Sequence, residues 1–577
     1  MILHALVERY KDLAAYGKIS RLGWSPANVT YALVLSADGV LEQVMLLTVE
    51  KLRGRKTVLA PRQMQVPARV KKTSGVSSNF LCDNSSYMLG VDNKGKPQRT
   101  AECFAACGAL HGEILAGVDS LTARAILRFF ESWKPEQADN HPALAEHLEG
   151  VKAGANIVLR VGGQFAHEDA VIATAWQQAY EQKEAHSQAI CLVTGESAAI
   201  ARTHPSIKGV RDAQSSGAAL VSFNTPAYLS FGKEQGDNAP VGEYATFAYT
   251  TALNALLADR EHTQHLGDTT LVFWAKGGQV ACQDIFAQMF GGSSEEMTDS
   301  QLKAAMMRLA SGNPTQWEGV EVSPDTPFYV LGLAPNAARL SVRFFLRDSF
   351  GVFAARALAH QQRLEIVRPA FDKRENLSVW GLLRETVNLN SREKKASPAM
   401  AGELIRAVLS GGRYPATLLN GVMLRIRAER EVTRGRAAII KAYYTRNEHK
   451  DCPREVLTVQ LNDSKNTAYL LGRAFSLLEG IQEAANPGLN TTIRDKYFNS
   501  AATTPATVFP RLISLAQHHI RKIDGRLKVH LEKELAGILA DIANFPGRLS
   551  LPAQGAFQLG YYHQRQRRFE SKKREGE

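Results

Sequence analysis

The 577-residue chain has few of the features that mark membrane, secreted or metal-binding proteins. No stretch approaches the roughly 18 uncharged apolar residues that a membrane span requires. Glu8 and Arg9 stand where a signal peptide needs an apolar run. The six cysteines form no Cys-x-x-Cys pair, so no zinc site is expected, and scattered thiols indicate reduced, mostly buried side chains. We therefore expect a cytoplasmic protein with no membrane partner and no metal.

Catalytic signatures are also missing. Residues 90–97 nearly match a phosphate-binding P-loop, but Pro97 stands where the magnesium-binding hydroxyl belongs. His167-Glu168 lacks the second histidine of a zinc protease, and no Gly-x-Ser-x-Gly elbow occurs. The sequence therefore predicts a binding protein with no catalytic residues and no cofactor.

Positive charge is concentrated in two places. The chain carries 69 Lys and Arg against 57 Asp and Glu, a net charge of +12. Residues 51–100 hold 11 basic and 2 acidic side chains, and residues 391–577 hold 31 and 18, whereas the remainder has a net charge of −10. Clustered cations on a protein of this kind favour nucleic acid over an acidic protein partner, because each neutralised phosphate releases condensed counterions.

The apolar patterns predict an α+β fold, with a mixed α/β N-terminal part followed by an all-α C-terminal helical bundle of four to six helices. Two apolar runs flank Asp38-Gly39, which is typical of a β-hairpin. We predict an extended basic loop at 51–99 and helices at 168–182 and 242–259. Further strands are predicted at 156–161, 189–194, 218–223, 269–274, 328–333 and 339–346. The predicted domains are 1–99 (hairpin and basic loop region), 100–387 (mixed α/β core) and 399–577 (helical bundle).

The first candidate nucleic-acid site lies within the extended basic loop predicted at 51–99. Lys71 and Lys72 suit backbone phosphates, and Gly75 lets the main chain approach closely. Small polar side chains nearby suit base edges: Ser74, Asn79, Asn84 and Ser85. A polar turn whose Asn and Ser side chains only satisfy backbone groups explains the same residues equally well.

The second candidate site is a set of basic residues in the C-terminal bundle. On a continuous helix, Arg427, Arg430 and Arg434 share one face, and Arg425 is a further basic residue of the same segment. A later predicted helix repeats the arrangement with Arg521, Lys522, Arg526 and Lys528. Such faces suit a sequence-independent track for a single strand. The alternative is a solvated charged face on which Glu429 and Glu431 pair with neighbouring arginines.

Several long strings identify a family. They are residues 1–6 (Met-Ile-Leu-His-Ala-Leu), 80–90 (Phe-Leu-Cys-Asp-Asn-Ser-Ser-Tyr-Met-Leu-Gly), 221–232 (Val-Ser-Phe-Asn-Thr-Pro-Ala-Tyr-Leu-Ser-Phe-Gly), 328–343, 497–509 and 560–565 (Gly-Tyr-Tyr-His-Gln-Arg). Across nearly its whole length the sequence resembles the large subunit of the type I-C CRISPR surveillance complex, Cascade.

The resemblance implies a non-catalytic role in a ribonucleoprotein complex that provides antiviral defence. The family's large subunit recognises the PAM, a short motif beside the target, in duplex DNA, and helps to open the duplex so that guide RNA can pair. The implied partners are crRNA and double-stranded target DNA, the Cascade backbone and guide-end subunits, and a helicase-nuclease. A small subunit made from the chain's own C-terminal region is also implied, from a start at Met423, the last methionine, or later.

On this basis, Lys71, Lys72, Ser74, Gly75, Asn79, Asn84 and Ser85 are candidate PAM contacts. Arg425, Arg427, Arg430, Arg434, Arg521 and Lys522 are candidate strand contacts. Two alternatives stay open at this point, namely a metal-dependent nuclease of the same system and a protein-binding scaffold with basic faces.

Overall fold

The computed structural model describes residues 1–53, 56–70, 75–181, 187–291, 299–388, 390–392 and 396–575. It is 51% helical with 18% strand, which confirms the α+β fold class and the helical C-terminal region. The chain divides into two compact units, the first Met1–Pro205 with Ser222–Ala252 and the second Ser206–Val221 with Leu253–Glu577. The boundaries between these units lie within the segment 100–387, and the three predicted domains stay a prediction.

The first unit contains three small sheets and the helices beside them. Its strands are β1 (Trp24–Val29), β2 (Tyr31–Leu35), β3 (Leu41–Leu46), β4 (Thr48–Arg53), β5 (Lys56–Pro67), β6 (Cys82–Asn84), β7 (Asn156–Val161), β8 (Gln164–Phe165), β9 (Gln188–Ile190) and β10 (Ser197–Ala199). Its helices are α1 (Ile2–Ala15), α2 (Ser85–Met88), α3 (Pro97–Leu115), α4 (Leu121–Ser132), α5 (Leu148–Lys152) and α6 (Ala170–Glu181). Helix α7 (Glu243–Ala258) crosses the division.

The hairpin predicted around Asp38-Gly39 is confirmed. Strands β2 and β3 pair antiparallel, and Gly39 has a φ of 83°, the positive value that such turns require. Strand β2 also pairs in parallel with β7, and β6 pairs with β7 on its other side. A second sheet has the order β1-β5-β4, and β9 pairs with β10.

The prediction of an extended basic loop at 51–99 is wrong for its first part, where β4 and β5 form an antiparallel hairpin. In β5, Met64 and Val66 are buried while Gln65 between them is exposed, the alternation of a half-buried strand. The alternation is hard to see in the sequence, because the exposed Arg62 lies on the same face as Met64 and Val66 and interrupts the apolar pattern.

The second unit joins an antiparallel sheet to the C-terminal helices. Its strands are β11 (Thr263–Leu266), β12 (Thr269–Ala275), β13 (Thr315–Trp317), β14 (Val320–Val322), β15 (Pro327–Asn336) and β16 (Arg339–Ser349). The order is β11-β12-β15-β16, and β13 pairs with β14. The strand predicted at 218–223 forms only single bridges at Ala218 and Ala219, since the chain turns sharply at Gly217, where φ is 98°.

The described part of the chain after residue 396 contains more helices than predicted. The second unit's helices are α8 (Val280–Gly291), α9 (Asp299–Ala310), α10 (Phe350–Leu364), α11 (Val379–Arg384), α12 (Pro398–Ser410), α13 (Ala416–Glu429), α14 (Arg434–Asn447), α15 (Thr467–Ala485), α16 (Ile493–Thr503), α17 (Pro505–Ile520), α18 (Gly525–Ala540) and α19 (Leu551–Glu575). One hydrophobic core runs from β11 to α19, so these helices share their interior with the sheet.

Helices α15 and α19 cross at unusually short range because glycines face backbone. A Cβ atom at Gly560 would collide with the carbonyl oxygen of Tyr469, and one at Gly472 would collide with that of Phe557. Around this crossing, the Tyr561 hydroxyl donates to the buried Glu479 carboxylate at 2.7 Å, and the Tyr469 hydroxyl lies 2.9 Å from His563 Nδ1. The string 560–565 is therefore a packing motif.

Substitution of Gly560 by alanine tests this crossing. We expect Gly560→Ala to lower the free energy of unfolding of the second unit by about 2–3 kcal/mol, because backbone cannot yield to the added methyl group. Gly537→Ala is the matched control, since Gly537 lies inside α18 with no atom near the added Cβ, and it should raise stability by up to ~1 kcal/mol. Thermal unfolding measures both, and equal melting temperatures for the two variants would contradict close packing at Gly560.

Buried histidines make the stability depend on pH. Burial lowers the pKa of His111 to about 4, and likewise the pKa of His360 and of His563 to about 3. The unfolded chain binds protons at these side chains below about pH 6.5, whereas the folded chain does not. The folded state is therefore penalised as the pH falls from about 6.5 toward 4, by about 1.4 kcal/mol per pH unit for each histidine.

His111→Gln tests this dependence on one group. A glutamine offers both an acceptor and a donor at this position, so the variant should fold, while the first unit should lose less stability between pH 7 and pH 5. Chemical denaturation at the two pH values measures the difference, and a slope equal to that of the parent protein would exclude His111 as a contributor.

Candidate nucleic-acid interface

The basic loop region, defined here as residues 69–79, is fastened at both of its described ends. Val70 N donates to Asn79 Oδ1 at 2.9 Å, and the Arg99 guanidinium donates to the carbonyl oxygen of Gly75 at 2.9 Å. Gly75 has a φ of 77°, and a Cβ atom added there would meet no atom within 4 Å, so its backbone is open to a close approach. Lys71, Lys72 and Ser74 lie outside the described residues.

A buried carboxylate fixes the backbone at the end of this region. Asp83 accepts from Asn79 N through Oδ2 at 2.9 Å and from Asn84 N through Oδ1 at 2.8 Å. The backbone is also held at Leu81, whose φ is 57° and whose N–H donates to His111 Nε2 at 3.0 Å. His111 Nδ1 lies 2.8 Å from the Cys107 carbonyl oxygen, so this nitrogen carries the proton of the neutral ring.

Three of the candidate PAM contacts are buried or hydrogen-bonded within the protein. Asn79 is buried and binds Val70, and half-buried Asn84 caps α2 by accepting from Ser86 N at 3.1 Å. Ser85 is fully buried, and its hydroxyl has no partner among the described residues. The polar-turn interpretation therefore accounts for Asn79 and for the cap at Asn84.

Two exposed arginines at this site were missed by the sequence reasoning. Arg69 donates to Asn156 Oδ1 at 3.0 Å, and Arg99 in the first turn of α3 reaches Gly75. A contact between residues 24 positions apart leaves no local pattern in the sequence. Only the positive charge of residues 51–100 pointed to them.

A cleft of about 630 Å³ adjoins the basic loop region. Val70, Ser78 and Asn79 line it together with residues of α3 and α6, among them Trp176. The loop therefore emerges at the rim of a depression whose other walls are helices.

In the second unit, the prediction that Arg427, Arg430 and Arg434 share one helical face is wrong. Helix α13 ends at Glu429, and Arg430 is its left-handed C-cap with a φ of 55°. Arg434 begins the separate helix α14. The spacing of 3 and 4 residues therefore does not correspond to one face.

Several of the arginines in this segment are used inside the protein. Arg434 is buried and pairs with Asp372 at 3.2 Å, while Arg425 lies 3.6 Å from Glu429 with a side chain only 17% exposed. The same Glu429 carboxylate binds the buried Arg436. Pairing of Glu429 with neighbouring arginines is thus confirmed, and the guanidinium groups of Arg374 and Arg434 hold the pKa of Asp372 well below its usual range.

Arg427 is the candidate that faces solvent beside a cavity. It donates to Gln554 Oε1 at 2.8 Å and lines a cleft of about 820 Å³ together with Arg548, Asn420 and Leu424. Arg548 was missed, because it lies in a loop far along the chain. Arg521 and Lys522 are exposed in the turn between α17 and α18 and do not line this cleft.

A second cleft of the same unit, of about 670 Å³, combines aromatic and basic side chains. Phe371 is 86% exposed and Phe569 is 50% exposed, and the Arg565 guanidinium lies 5.7 Å from the centre of the Phe569 ring. Exposed aromatic rings beside arginine are the usual platform for unpaired bases.

The described residues contain no group of three or more His, Cys, Asp or Glu side chains arranged to hold a metal ion. None of the described helices is long and apolar enough to cross a bilayer. All six cysteines are buried and unpaired by disulfides, as predicted.

Comparison with known proteins places these features in a family. No curated protein matches the chain. A family model described as CRISPR-associated protein (Cas_Csd1) matches residues 6–569, nearly the whole length. The chain therefore belongs to the CRISPR-associated Csd1 family, as the resemblance of its sequence predicted.

Proposed function

We propose that the chain is a non-catalytic DNA-recognition subunit of a CRISPR RNA-guided surveillance complex. It reads the PAM in duplex DNA with the basic loop region, aids strand separation and R-loop formation, and recruits a helicase-nuclease. Membership of the Csd1 family is the observation that carries this proposal. Its partners are crRNA, target DNA and the other Cascade subunits.

The anchoring of the loop supports the first part of the proposal. Lys71, Lys72 and Ser74 lie in sequence between Val70 and Gly75, whose backbone groups bind Asn79 and Arg99. A loop tied at both ends loses less conformational entropy when it docks on DNA. We assign phosphate and base contacts to the loop itself and to half-buried Asn84, and a supporting role to buried Asn79 and Ser85.

The Arg427 cleft supports the second part. Arg427 and Arg548 place two cations on one surface of the second unit, which suits the backbone of a displaced strand. We keep Arg430, Arg521 and Lys522 as further strand contacts. Arg434 serves the fold, because its guanidinium donates to Asp372 and to the carbonyl oxygens of Arg374 and Glu375.

The implied small subunit has a structural consequence. A product starting at Met423 begins within α13 and lacks residues 367–375, which hold both Arg434 and the Tyr562 hydroxyl in the full chain. We propose that such a product presents Arg434 to solvent or to a partner, unlike the full chain.

Substitution of Asn79 tests the reading of the flanking motif. In the assembled complex, Asn79→Ala should weaken binding to duplexes with the correct flank about tenfold, and binding to incorrect flanks much less, because Val70 N loses its acceptor and the loop loses its register. Asn84→Ser keeps a capping oxygen but removes the amide, and it should also reduce the preference for the correct flank.

Arg128→Ala is the control, since Arg128 is an exposed arginine of the same unit that pairs with Asp38. Gel-shift titrations with two flanks measure all variants. Flank preferences equal to the parent's in both asparagine variants would refute this site. Cleavage of DNA by the purified chain with magnesium or manganese would refute the non-catalytic role and favour the nuclease alternative.

Charge reversal tests the strand contacts. Arg427→Glu combined with Arg548→Glu should weaken binding to every target alike, and should reduce the slope of log affinity against log salt by about 0.7 for each lost phosphate contact. Arg454→Glu is the control, because Arg454 is 82% exposed in the same unit and lies outside the cleft. An unchanged salt slope in the double variant would favour a solvated charged face.

A further inference from the structure

A second cleft of the first unit, of about 1010 Å³, is lined by residues outside the basic loop region. Its walls come from the end of α1, from β1 and β5, and from the start of α6. None of the described residues that line it belongs to 69–79. Its volume exceeds what an inorganic anion fills and suits a ligand of nucleotide size.

Two arginines of this cleft are held against aromatic rings. The Arg21 guanidinium lies 4.3 Å from the centre of the Trp24 ring, and that of Arg62 lies 5.9 Å from the centre of Phe165. Glu168 is an acidic residue of the lining. Arginines fixed in this way offer donors in a rigid fork for a phosphate and a flat surface for a base.

Two buried nitrogen atoms at the cleft have no hydrogen-bond partner among the described residues, Trp24 Nε1 and His167 Nδ1. Both residues line the cleft, Trp24 being 4% and His167 5% exposed. Burial lowers the pKa of His167 to about 4, so the ring is neutral near pH 7 and can donate or accept. Buried polar atoms without partners are rare, but neither nitrogen has accessible surface in the cleft, so the contacts open to a ligand come from the arginines and from the amide and hydroxyl side chains of the lining.

Amide and hydroxyl side chains complete the lining. Ser20 Oγ donates to Gln65 Oε1 at 2.6 Å, which orients that amide. The remaining polar residues are Gln63, Thr174 and Gln177. Amides that donate and accept side by side match the edge of a nucleobase.

We propose that this cleft binds one nucleotide, with its phosphate on Arg21 and Arg62 and its base edge on the glutamine amides. The nucleotide is either free or one unit of a single strand, and both carry the same phosphate and base. The site goes beyond the proposed function, because reading of the PAM by residues 69–79 does not require it.

Equilibrium dialysis of the full chain with radiolabelled AMP tests the site. We expect saturable binding, and about tenfold weaker binding for Arg21→Ala and for Arg62→Ala, each of which removes a charge-assisted contact. Trp24→Phe keeps a ring but removes the Nε1 donor, and should weaken binding less. Arg124→Ala is the control, an exposed arginine of the same unit outside the cleft, and should bind AMP like the parent.

A five-nucleotide RNA as competitor identifies the source of the ligand. If the RNA displaces radiolabelled AMP at a lower concentration than unlabelled AMP does, the cleft binds a strand. If the RNA does not displace AMP, the cleft binds free nucleotides. The proposal is overturned if neither AMP nor the RNA binds, or if both arginine variants bind like the parent. A comparison with Asn79→Ala separates this site from the proposed function. Asn79→Ala should alter flank-dependent binding to duplex DNA and leave AMP binding intact, whereas the two cleft arginine variants should weaken AMP binding.

Discussion

The hydrogen bond from Val70 N to Asn79 Oδ1 is the constraint on which the proposed reading of DNA depends. It sets where the chain leaves β5 and enters the basic loop region, and the Asp83 carboxylate fixes Asn79 in turn. Because Asn79 and Asp83 are buried, loss of one of them leaves another polar atom unpaired. The described ends of the loop, at Val70 and at Asn79, are therefore fixed relative to each other.

The second unit deals with its charge differently. Residues 391–577 hold 31 basic and 18 acidic side chains, yet Arg434 and Arg436 are buried in ion pairs with Asp372 and Glu429. These pairs stabilise the junction between α14 and the segments before it and leave those arginines unavailable to a phosphate. Other cations of the region, such as Arg427, stay exposed at the surface. Net charge is thus a poor measure of an interface when arginines also serve the core.

The sequence predicted those parts of the fold that local patterns determine. The Asp38-Gly39 turn and strand β7 were found because a two-residue turn and an apolar run carry their own signals. The hairpin of β4 and β5 was missed, since lysines and arginines interrupt the apolar alternation on the face that carries Met64 and Val66. The end of α13 at Arg430 was also missed, because a non-glycine residue with positive φ gives no warning in the sequence.

At the candidate sites, the sequence identified suitable residue types but not whether each side chain is buried or exposed. Asn79 and Arg434 have the chemistry of nucleic-acid contacts, and only tertiary packing decides that both are buried. Arg99 and Arg548 were unforeseen because their positions depend on contacts between distant segments. The family, by contrast, was recognisable from long strings, of which 560–565 reflects the glycine crossing of α15 and α19.

Photo-crosslinking tests the central claim most directly. A photoreactive residue placed at Ser74 in the assembled complex should crosslink to duplex DNA within the few base pairs that flank the target, and crosslinking should fall when those base pairs are changed. Crosslinks confined to the guide–target duplex or to another subunit would contradict the assignment of the basic loop region to the flanking motif.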